Sequence, residues 1–490
     1  MTRTLGLFLL ISCCEAAVKV PSIIGDHMLL QRDAPVRIFG TAAPGEAVSV
    51  AYRGQTARAV ASSWGRWEAW LAPMGLGAAG EMTIRASNTI QIADVLVGDV
   101  WVGSGQSNMQ FAVRQTNNAE AEMAGATFPE IRLFAVPRKG SAVPVEDVAG
   151  QWVVCSPETA KDFSAVLYYF GRQLHQELKA PMGLVHSSWG GTPIAAWLSG
   201  PALTGNAALL PLQSSWQEQI QMYPLQMTRY EQGLAKGEKP AVPMGPGHPH
   251  EPTTLYNGMI APIAKYTIKG ALWYQGESEA GRGLGHVYGE ALETLVGDWR
   301  RAFGQGNFPF FYVQLANFGN AAKNGHWMRV QEGQVKAAGL KKTGVVIIND
   351  IGEATDIHPR NKQEVSRRLA LLARHVAYGA TGFVYSSPLY RQVTLEEGGM
   401  RVWFDHAGTG LKTRDGGPVK GFTIAGRDGK FWPAVGRIEG DAVVVTHSEV
   451  KEPRVVRYAW ENNPDANLVN SAGLPASLFR SDERDEVVFR

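Results

Sequence analysis

The apolar and polar positions along the chain divide it into three zones that follow a short apolar N-terminal segment. In the first zone, residues 18–92, apolar and polar residues alternate over short stretches such as "PVRIFG", "AVSVAYRG", "RWEAWL" and "MTIRAS". Glycine, proline and asparagine separate these stretches, as turns separate neighbouring strands. This zone therefore predicts an N-terminal β domain, a small sandwich.

The middle zone, residues 93–379, combines continuous apolar runs with longer amphipathic segments. The runs are "VLVGDVWVG", "PMGLVHSS", "KGALWYQGE", "FPFFYVQL" and "TGVVIIND". Between them, apolar residues such as Val166, Phe170 and Leu174 recur at helical spacing. Apolar strands that alternate with amphipathic helices indicate a parallel sheet covered on both faces. The predicted fold class is thus α/β, and this zone is the predicted catalytic domain.

The last zone, residues 380–490, returns to short strands with glycine and aspartate turns. Its strand-like stretches include "MRVWFDHAG", "VKGFTIAG", "AVVVTHS" and "RVVRYAW". It predicts a C-terminal β domain. Its closing stretch, "WENNPDANLVNSAGLP", is expected to fold back on the middle zone.

Residues 1–17 have the pattern of an export signal. Arg3 precedes an apolar run that is too short to span a bilayer. Cleavage would follow small residues near Ala16, or Cys13 would become a lipidated N-terminus. After cleavage near Ala16 only Cys155 remains, so no internal disulfide can form. We therefore expect an exported protein, periplasmic or extracellular, with no membrane span and with a lipid anchor on Cys13 as an alternative.

Composition excludes some partners. The chain has 490 residues, of which 45% are hydrophobic and 19% are charged, as in soluble proteins of two or three domains. The formal net charge is +2, and no run is rich in lysine and arginine, so a nucleic-acid surface is not predicted. Oligomeric state stays open.

Polar residues follow the apolar runs of the middle zone where each run ends. These endings are "GQSN" at 105–108, "SSWGGT" at 187–192, "YQGES" at 274–278 and "NDIGEATDIHP" at 349–359. In an open α/β sheet, ligands bind beyond the carboxyl ends of the strands, so we expect these residues to form one site. Together they supply a hydroxyl, a glycine pair, an amide, and an acid with a histidine.

These groups are the ones that acyl transfer needs. Ser107 would be the nucleophile, His358 the base, and Asp356 the acid that orients the imidazole, with Asp350 as the alternative acid. The oxyanion hole also needs preorganised donors. The candidate donors are the Ser107 N–H, the N–H of Gly190 or Gly191, and the side-chain amide of Gln275.

Each feature also has a structural interpretation when it is taken alone. Ser107 could cap a helix, and His358 before Pro359 could begin one. A metal site is disfavoured because His358 has no second histidine at ligand spacing. A nucleotide loop is disfavoured because Asn108 stands where the last glycine would be. A noncatalytic carbohydrate-binding protein is the remaining alternative, and no metal or other cofactor is predicted.

Five ordered motifs resemble the sialate O-acetylesterase family of SGNH hydrolases. They are "GQSNM", "SWGGTPIAAW", "LYNGMIAPI", "WYQGES" and "DIHPRNKQEVSRRLA". The resemblance implies an SGNH-type, flavodoxin-like sheet with flanking β-sandwich-like domains. It also implies a cofactor-free Ser-His-Asp esterase that removes acetyl groups from sugar hydroxyls. Sialic acid is the first expected substrate, and acetyl-xylan or another plant polysaccharide is the alternative.

The resemblance carries roles onto single residues. Ser107, His358 and Asp356 match the triad, with Gly191 and Gln275 suggested for the oxyanion hole. The predicted substrate-binding residues are Gln106, Asn108, Trp189, Asn257 and Glu277.

Two positions depart from the pattern of the family. Glu279 replaces an asparagine that relatives commonly carry, and we expect it near the mouth of the site. Asp356 precedes His358 by two residues, whereas three is the usual spacing in the superfamily.

Overall fold

The computed structural model describes residues 17–482, so the predicted export signal and Cys13 lie outside the described residues except for Ala17. The first strands are β1 (Leu29–Gln31), β2 (Val36–Thr41), β3 (Ala47–Tyr52), β4 (Gln55–Val60), β5 (Arg66–Leu71), β6 (Gly80–Arg85) and β7 (Thr89–Gly105). Strands β2 and β5 form one antiparallel pair, and β3 pairs with β4 and β6. Alternating burial along β5 matches the alternation in its sequence.

The central part of the chain alternates strands and helices. Its further strands are β8 (Phe128–Ala135), β9 (Trp152–Cys155), β10 (Met182–Ser188), β11 (Gly270–Tyr274), β12 (Phe310–Val313) and β13 (Thr343–Val346). Its helices are α1 (Ser107–Gln110), α2 (Ala119–Ala124), α3 (Pro157–Ala160), α4 (Ala165–Leu178), α5 (Gly200–Thr204), α6 (Leu210–Ala235), α7 (Glu277–Gly281), α8 (Tyr288–Phe303), α9 (His326–Ala337) and α10 (Lys362–Val376).

One sheet organises this central part, in the order β13-β12-β11-β7-β10-β8-β9. Its strand pairs are parallel except for β8 with β9. Among the described residues, β11, β12 and β13 are buried along their whole length. Such burial requires cover on both faces and explains why these strands read as continuous apolar runs. The predicted α/β class with a parallel sheet and helices is confirmed.

Strand β7 belongs to two sheet regions at once. Its first half pairs antiparallel with β6, and its second half lies between β10 and β11. Burial is irregular up to Asp94 and continuous from Val95 to Gly105, which marks where the strand enters the covered sheet. The sequence boundary between residues 92 and 93 lies inside this strand. The domain limits themselves stay predictions.

The predicted apolar helix faces lie in the core. Val166, Leu167, Phe170 and Leu174 of α4 are fully buried. Phe163 is buried too, but it precedes the helix. None of the helices within residues 17–482 is long and apolar enough to cross a membrane.

The C-terminal part consists of short strands in three small sheets. They are β14 (Leu389–Glu396), β15 (Gly399–Asp405), β16 (Leu411–Thr413), β17 (Phe422–Ala425), β18 (Phe431–Pro433), β19 (Val435–Glu439), β20 (Ala442–Thr446), β21 (Val455–Tyr458), β22 (Leu468–Asn470) and β23 (Phe479–Arg480). The sheet orders are β14-β15-β20-β19, β16-β22 and β18-β17-β21-β23.

The closing stretch of the C-terminal part contacts the central part, as expected. The Phe318 N–H donates to the Asn462 carbonyl at 2.7 Å, and the Asn462 amide donates to the Ala321 carbonyl at 2.8 Å. The Gln314 amide donates to Ser477 Oγ at 3.0 Å, and the Asn349 amide donates to the Ala476 carbonyl at 2.9 Å. Both donors follow strands of the central sheet, so these bonds attach the C-terminal strands near the edge where the predicted site lies.

Candidate active site

Three neighbouring strands end side by side. In the register of the sheet, Gly105 at the end of β7 lies between Ser188 of β10 and Tyr274 of β11. Gly105 has φ +137°, and a Cβ there would lie 2.1 Å from the Tyr274 carbonyl oxygen, so only glycine fits. The chain then turns into α1, whose first residue is Ser107.

Ser107 and His358 form a hydrogen-bonded pair. His358 Nε2 lies 2.8 Å from Ser107 Oγ, although 251 positions separate the two residues. The imidazole stacks on the Phe111 ring, with centroids 6.2 Å apart. Burial and then the charge of Lys362 lower the pKa of His358, and Asp356 acts in the opposite direction. This lowered pKa favours the neutral form of the imidazole, and its Nε2 is placed to accept the serine proton.

The two candidate acids have different partners. Asp356 Oδ1 lies 3.6 Å from His358 Nδ1 and accepts the backbone N–H of His358 at 2.9 Å. Asp350 instead accepts two hydrogen bonds from the buried Arg368 guanidinium, at 2.7 and 2.8 Å. Asp356 is thus the carboxylate that faces the imidazole, while Asp350 belongs to an ion pair with α10.

The candidate oxyanion donors differ in how close they lie to Ser107. Ser107 begins α1, so its N–H has no acceptor within the helix. A Cβ on Gly190 would lie 3.3 Å from Ser107 Cβ, and the Gly190 N–H donates to Gln110 Oε1 at 2.7 Å. Gly191 has φ +77° and open space where a Cβ would be, so it makes the turn that follows Gly190.

The structure does not bring the Gln275 amide into this group. Gln275 is fully buried, and its Nε2 donates to the Thr192 carbonyl at 3.2 Å and to the Glu279 carboxylate. Its Oε1 accepts from the Tyr288 hydroxyl at 2.9 Å. The amide therefore fixes the loop that carries Gly190 from behind.

An open cleft of roughly 300 Å³ lies over Ser107 and His358. Its other lining residues are Gln110, Phe111, Gln115, Arg138, Trp189 and Gly190. The predicted substrate residue Trp189 forms part of the wall, and the Arg138 guanidinium lies 5.7 Å from its ring centroid. None of these described lining residues is acidic, and Arg138 contributes a positive charge to the cleft.

Sequence reasoning missed Arg138. It follows the end of β8, which runs parallel to β10, so its segment leaves the sheet at the same edge as the predicted endings. The run "IRLFAV" that forms most of β8 was the available signal.

Four predicted substrate-binding residues are buried and do not line the cleft. Gln106 Oε1 accepts the N–H groups of Gly276 and Ser278 at 3.4 and 3.3 Å. Asn257 donates from Nδ2 to the carbonyls of the 141–142 segment, at 3.1 Å each. The other two, Asn108 and Glu277, bond to each other at 2.5 Å.

Glu279 does not lie at the mouth of the site, so that expectation was wrong. Its side chain is fully buried, where it accepts from Gln275 and from the Ile194 N–H at 2.7 Å. Burial raises the pKa of Glu279 to about 7. The loop that carries Ile194 covers this position of α7, and sequence spacing alone does not reveal that cover.

No group of three or more His, Cys, Asp or Glu side chains within residues 17–482 is arranged to hold a metal ion. The chemistry that this arrangement offers is nucleophilic: a hydroxyl with a neutral base, an acid beside that base, and N–H donors at the same point.

Comparisons with known proteins identify the family of this chain. The model of the family described as carbohydrate esterase, sialic acid-specific acetylesterase, matches residues 235–371. Sialate O-acetylesterase from Rattus norvegicus is 32% identical, over 80% of this chain and 81% of the rat protein. The Mus musculus enzyme is 31% identical over 94% of each chain. The solved structure of a carbohydrate acetylesterase from Xanthomonas citri superposes with a TM-score of 0.84 and 36% identity, covering 96% of this chain and 100% of that one.

The mammalian relatives exceed 30% identity over most of their length, and the Xanthomonas citri structure shares the fold along nearly the whole chain. The motifs that carried the resemblance include the residues of the Ser107 and His358 pair. The chain therefore belongs to the sialate O-acetylesterase family and is a carboxylic ester hydrolase.

Proposed function

We propose that this protein removes acetyl groups from sugar hydroxyls by a Ser-His-Asp mechanism through an acetyl-enzyme. The observation that carries the proposal is the 2.8 Å contact between Ser107 Oγ and His358 Nε2 on the floor of an open cleft. A noncatalytic binding protein has no need of a neutral imidazole hydrogen-bonded to an accessible serine.

The steps follow from that geometry. Ser107 Oγ attacks the acetyl carbonyl carbon while His358 Nε2 takes the serine proton. The tetrahedral intermediate collapses, the bond to the sugar oxygen breaks, and the imidazolium returns the proton to that oxygen. Water then attacks the acetyl group on Ser107 and His358 takes a proton from the water. The bond to Ser107 Oγ breaks as that proton returns to Ser107, and acetic acid leaves and ionises to acetate.

We place the oxyanion at the N–H groups of Ser107 and Gly190. Gln110 Oε1 already accepts from the Gly190 N–H at 2.7 Å, which marks where an acceptor oxygen sits in the free protein. The substrate oxygen takes over this position as the Gln110 side chain moves aside. Each such donor contributes roughly 3 kcal/mol to the stability of the transition state.

For the substrate, we propose an acetylated sialic acid before a neutral plant polysaccharide. Two features support this choice: the names of the mammalian relatives, and the Arg138 guanidinium in a cleft without acidic lining residues. A guanidinium recognises a sugar carboxylate through charge-assisted hydrogen bonds, whereas acetyl-xylan offers it no such partner along the main chain.

We also propose the finer fold assignment that the motifs imply. Five parallel strands of the central sheet can be numbered 1 to 5 in chain order: β7, β10, β11, β12 and β13. Their order across the sheet is then 2-1-3-4-5, which supports a flavodoxin-like, SGNH-type core. The flanking strands are proposed to form sandwich-like domains.

Export remains part of the proposal on the ground of Arg3 and the apolar run after it. Mass spectrometry of the protein from its native cell should find the N-terminal segment removed, with or without a lipid on Cys13. Intact chain in the cytoplasm would contradict export.

The catalytic proposal is tested by Ser107→Ala. We expect a folded protein whose hydrolysis of an aryl acetate falls by about 10⁴-fold or more. Acetate release should then be compared for wild-type protein over acetylated sialic acids, acetyl-xylan and the aryl acetate. Near-normal turnover of Ser107→Ala would reject the mechanism, and preference for acetyl-xylan would reject the substrate choice alone.

A further inference from the structure

A buried polar chain of three side chains lies behind Ser107 and His358, and the acyl-transfer steps do not use it. Asn108 is its centre. Its Nδ2 donates to Glu277 Oε1 at 2.5 Å, and its Oδ1 accepts from Lys362 Nζ at 2.5 Å. All three residues are buried. Asn108 and Glu277, which were predicted to bind substrate, do not line the cleft over Ser107 and His358.

Asn108 also joins the two halves of the catalytic pair. It directly follows Ser107, and its Nδ2 donates to the carbonyl of Ile357 at 3.0 Å. Ile357 directly precedes His358 in the loop between β13 and α10. One amide therefore connects the backbone that carries the nucleophile to the backbone that carries the base.

Lys362 holds Asn108 at an energetic cost. It is the first residue of α10, where the helix dipole disfavours a cation, and its ammonium is completely buried. The ammonium lies 4.9 Å from the Phe111 ring centroid and 5.2 Å from that of Tyr274. Phe111 in turn stacks on the imidazole of His358. The cation thus lies behind the same ring that supports the base.

Glu277 closes the chain on the far side. Its Oε1 accepts from Asn108, whereas its Oε2 is buried and has no hydrogen-bond partner within the described residues. The side-chain amide of Asn108 therefore lies between two ionisable groups. The Glu277 carboxylate orients its nitrogen, and the Lys362 ammonium orients its oxygen.

We propose that Asn108, held between Lys362 and Glu277, is a positioning residue that sets the separation of Ser107 and His358, with the buried Lys362 ammonium placed behind the Phe111 ring on which the imidazole stacks. This inference rests on the proposed function of the Ser107 and His358 pair. In this view the buried chain helps to orient the imidazole. Asp356 does so only in part, because its carboxylate lies 3.6 Å from the imidazole Nδ1, outside hydrogen-bond distance.

The charges that act on this site are few. Lys362 lowers the pKa of His358, after burial, and Asp356 raises it. Burial lowers the pKa of Lys362 to about 7, against the raising effects of Glu277, Glu353 and Asp356. Arg138 is the further cation that lines the cleft. Removing the Lys362 charge should raise the pKa of His358. As the pH falls, the imidazole would then become protonated, and unable to act as a base, at a higher pH than in wild type.

Two variants test this chain, one at the amide and one at the cation. Asn108→Asp keeps an acceptor for Lys362 but removes the donor to the Ile357 carbonyl and places a carboxylate against Glu277 Oε1, so its kcat is compared with that of wild type above the acidic limb of each protein. We expect kcat for an aryl acetate to fall by about 10-fold to 100-fold with KM within about twofold, since small displacements of reacting groups have effects of this size. Lys362→Met keeps the apolar stem without the charge, and should move the acidic limb of kcat/KM up by roughly 1 pH unit.

Asn470→Asp is the matched control. Asn470 is another fully buried amide, and its Nδ2 donates to the carbonyls of Ser386 and His406 at 2.9 and 3.0 Å in the C-terminal part. This change should lower the melting temperature in the same way as Asn108→Asp but leave kcat and the pH profile of the folded enzyme unchanged.

The outcomes distinguish this inference from the proposed function. Activity that survives Ser107→Ala rejects the mechanism and the inference with it. The inference alone is rejected by a different set of results. In that case Ser107→Ala is inactive, but Asn108→Asp keeps the wild-type kcat and Lys362→Met keeps the wild-type pH profile. If Asn108→Asp does not fold, the pH profile of Lys362→Met decides, because loss of stability alone does not move the acidic limb of the folded fraction.

Discussion

Asp356 holds His358 through two contacts: its Oδ1 accepts the backbone N–H of His358 at 2.9 Å and lies 3.6 Å from the imidazole Nδ1. The first contact folds the loop so that the two side chains lie on one side. The second leaves the carboxylate just outside hydrogen-bond distance, as is common for catalytic contacts before substrate binds.

This relationship predicts different consequences for the two aspartates. Asp356→Asn should lower kcat for an aryl acetate by on the order of 100-fold or more, with little change in KM, because the imidazolium loses its counter-charge. Asp350→Asn should act on stability instead, because it breaks the buried pair with Arg368, a loss of roughly 3 kcal/mol. Steady-state kinetics and thermal unfolding of both variants test this. The assignment would be contradicted if Asp350→Asn kept its stability but lost most of its kcat while Asp356→Asn kept a wild-type kcat.

The pH dependence should follow the state of His358. Burial and the Lys362 charge lower its pKa, and the base works only when neutral, so the acidic limb of kcat/KM should fall below about pH 6.5. Asp356 raises that pKa, so Asp356→Asn should move the limb to still lower pH. The pH profiles of both proteins measure these limbs, and a limb above about pH 7 in wild-type enzyme would show that burial and Lys362 do not control the base.

The two glycines of the oxyanion loop should behave differently. Gly190→Ala places a Cβ 3.3 Å from Ser107 Cβ and from Gln110 Oε1, so it should lower kcat by about 10-fold or more while the fold survives. Gly191→Ala meets no atom but must keep φ +77°, so it should lower the stability by about 1 kcal/mol and reduce kcat less. Kinetics with melting temperatures separate the two. The reverse pattern would place the donor at Gly191.

Much of this site could be predicted because the sheet brings strand ends together. Ser107, Trp189 and Gly190 follow apolar runs that lie next to each other, and His358 belongs to the segment after another run. Partners of buried polar groups could not be predicted in this way. The burial of Gln275 and Glu279 depends on which loop covers α7, and the pairing of Asp350 depends on the position of Arg368 in the packed helix. Arg138 was missed because its strand, β8, carries an arginine and did not read as an apolar run.

Arg138 should determine preference for acidic sugars. Arg138→Met removes the guanidinium and keeps part of the contact with Trp189. We expect KM for an acetylated sialic acid to rise by about 10-fold, from the loss of a charge-assisted hydrogen bond, and KM for a neutral aryl acetate to change by less than about twofold. Equal effects on both substrates would show that Arg138 does not read a carboxylate.

Covalent labelling by a fluorophosphonate tests the pairing of Ser107 with His358 without a natural substrate. This reagent reacts with a serine that a neighbouring base activates. Peptide mass spectrometry should find the label on Ser107 in wild-type protein, with labelling slowed by at least about 100-fold in His358→Ala and absent in Ser107→Ala. Label on another serine, or rapid labelling of Ser107 without His358, would contradict the claim that these two residues form the catalytic pair.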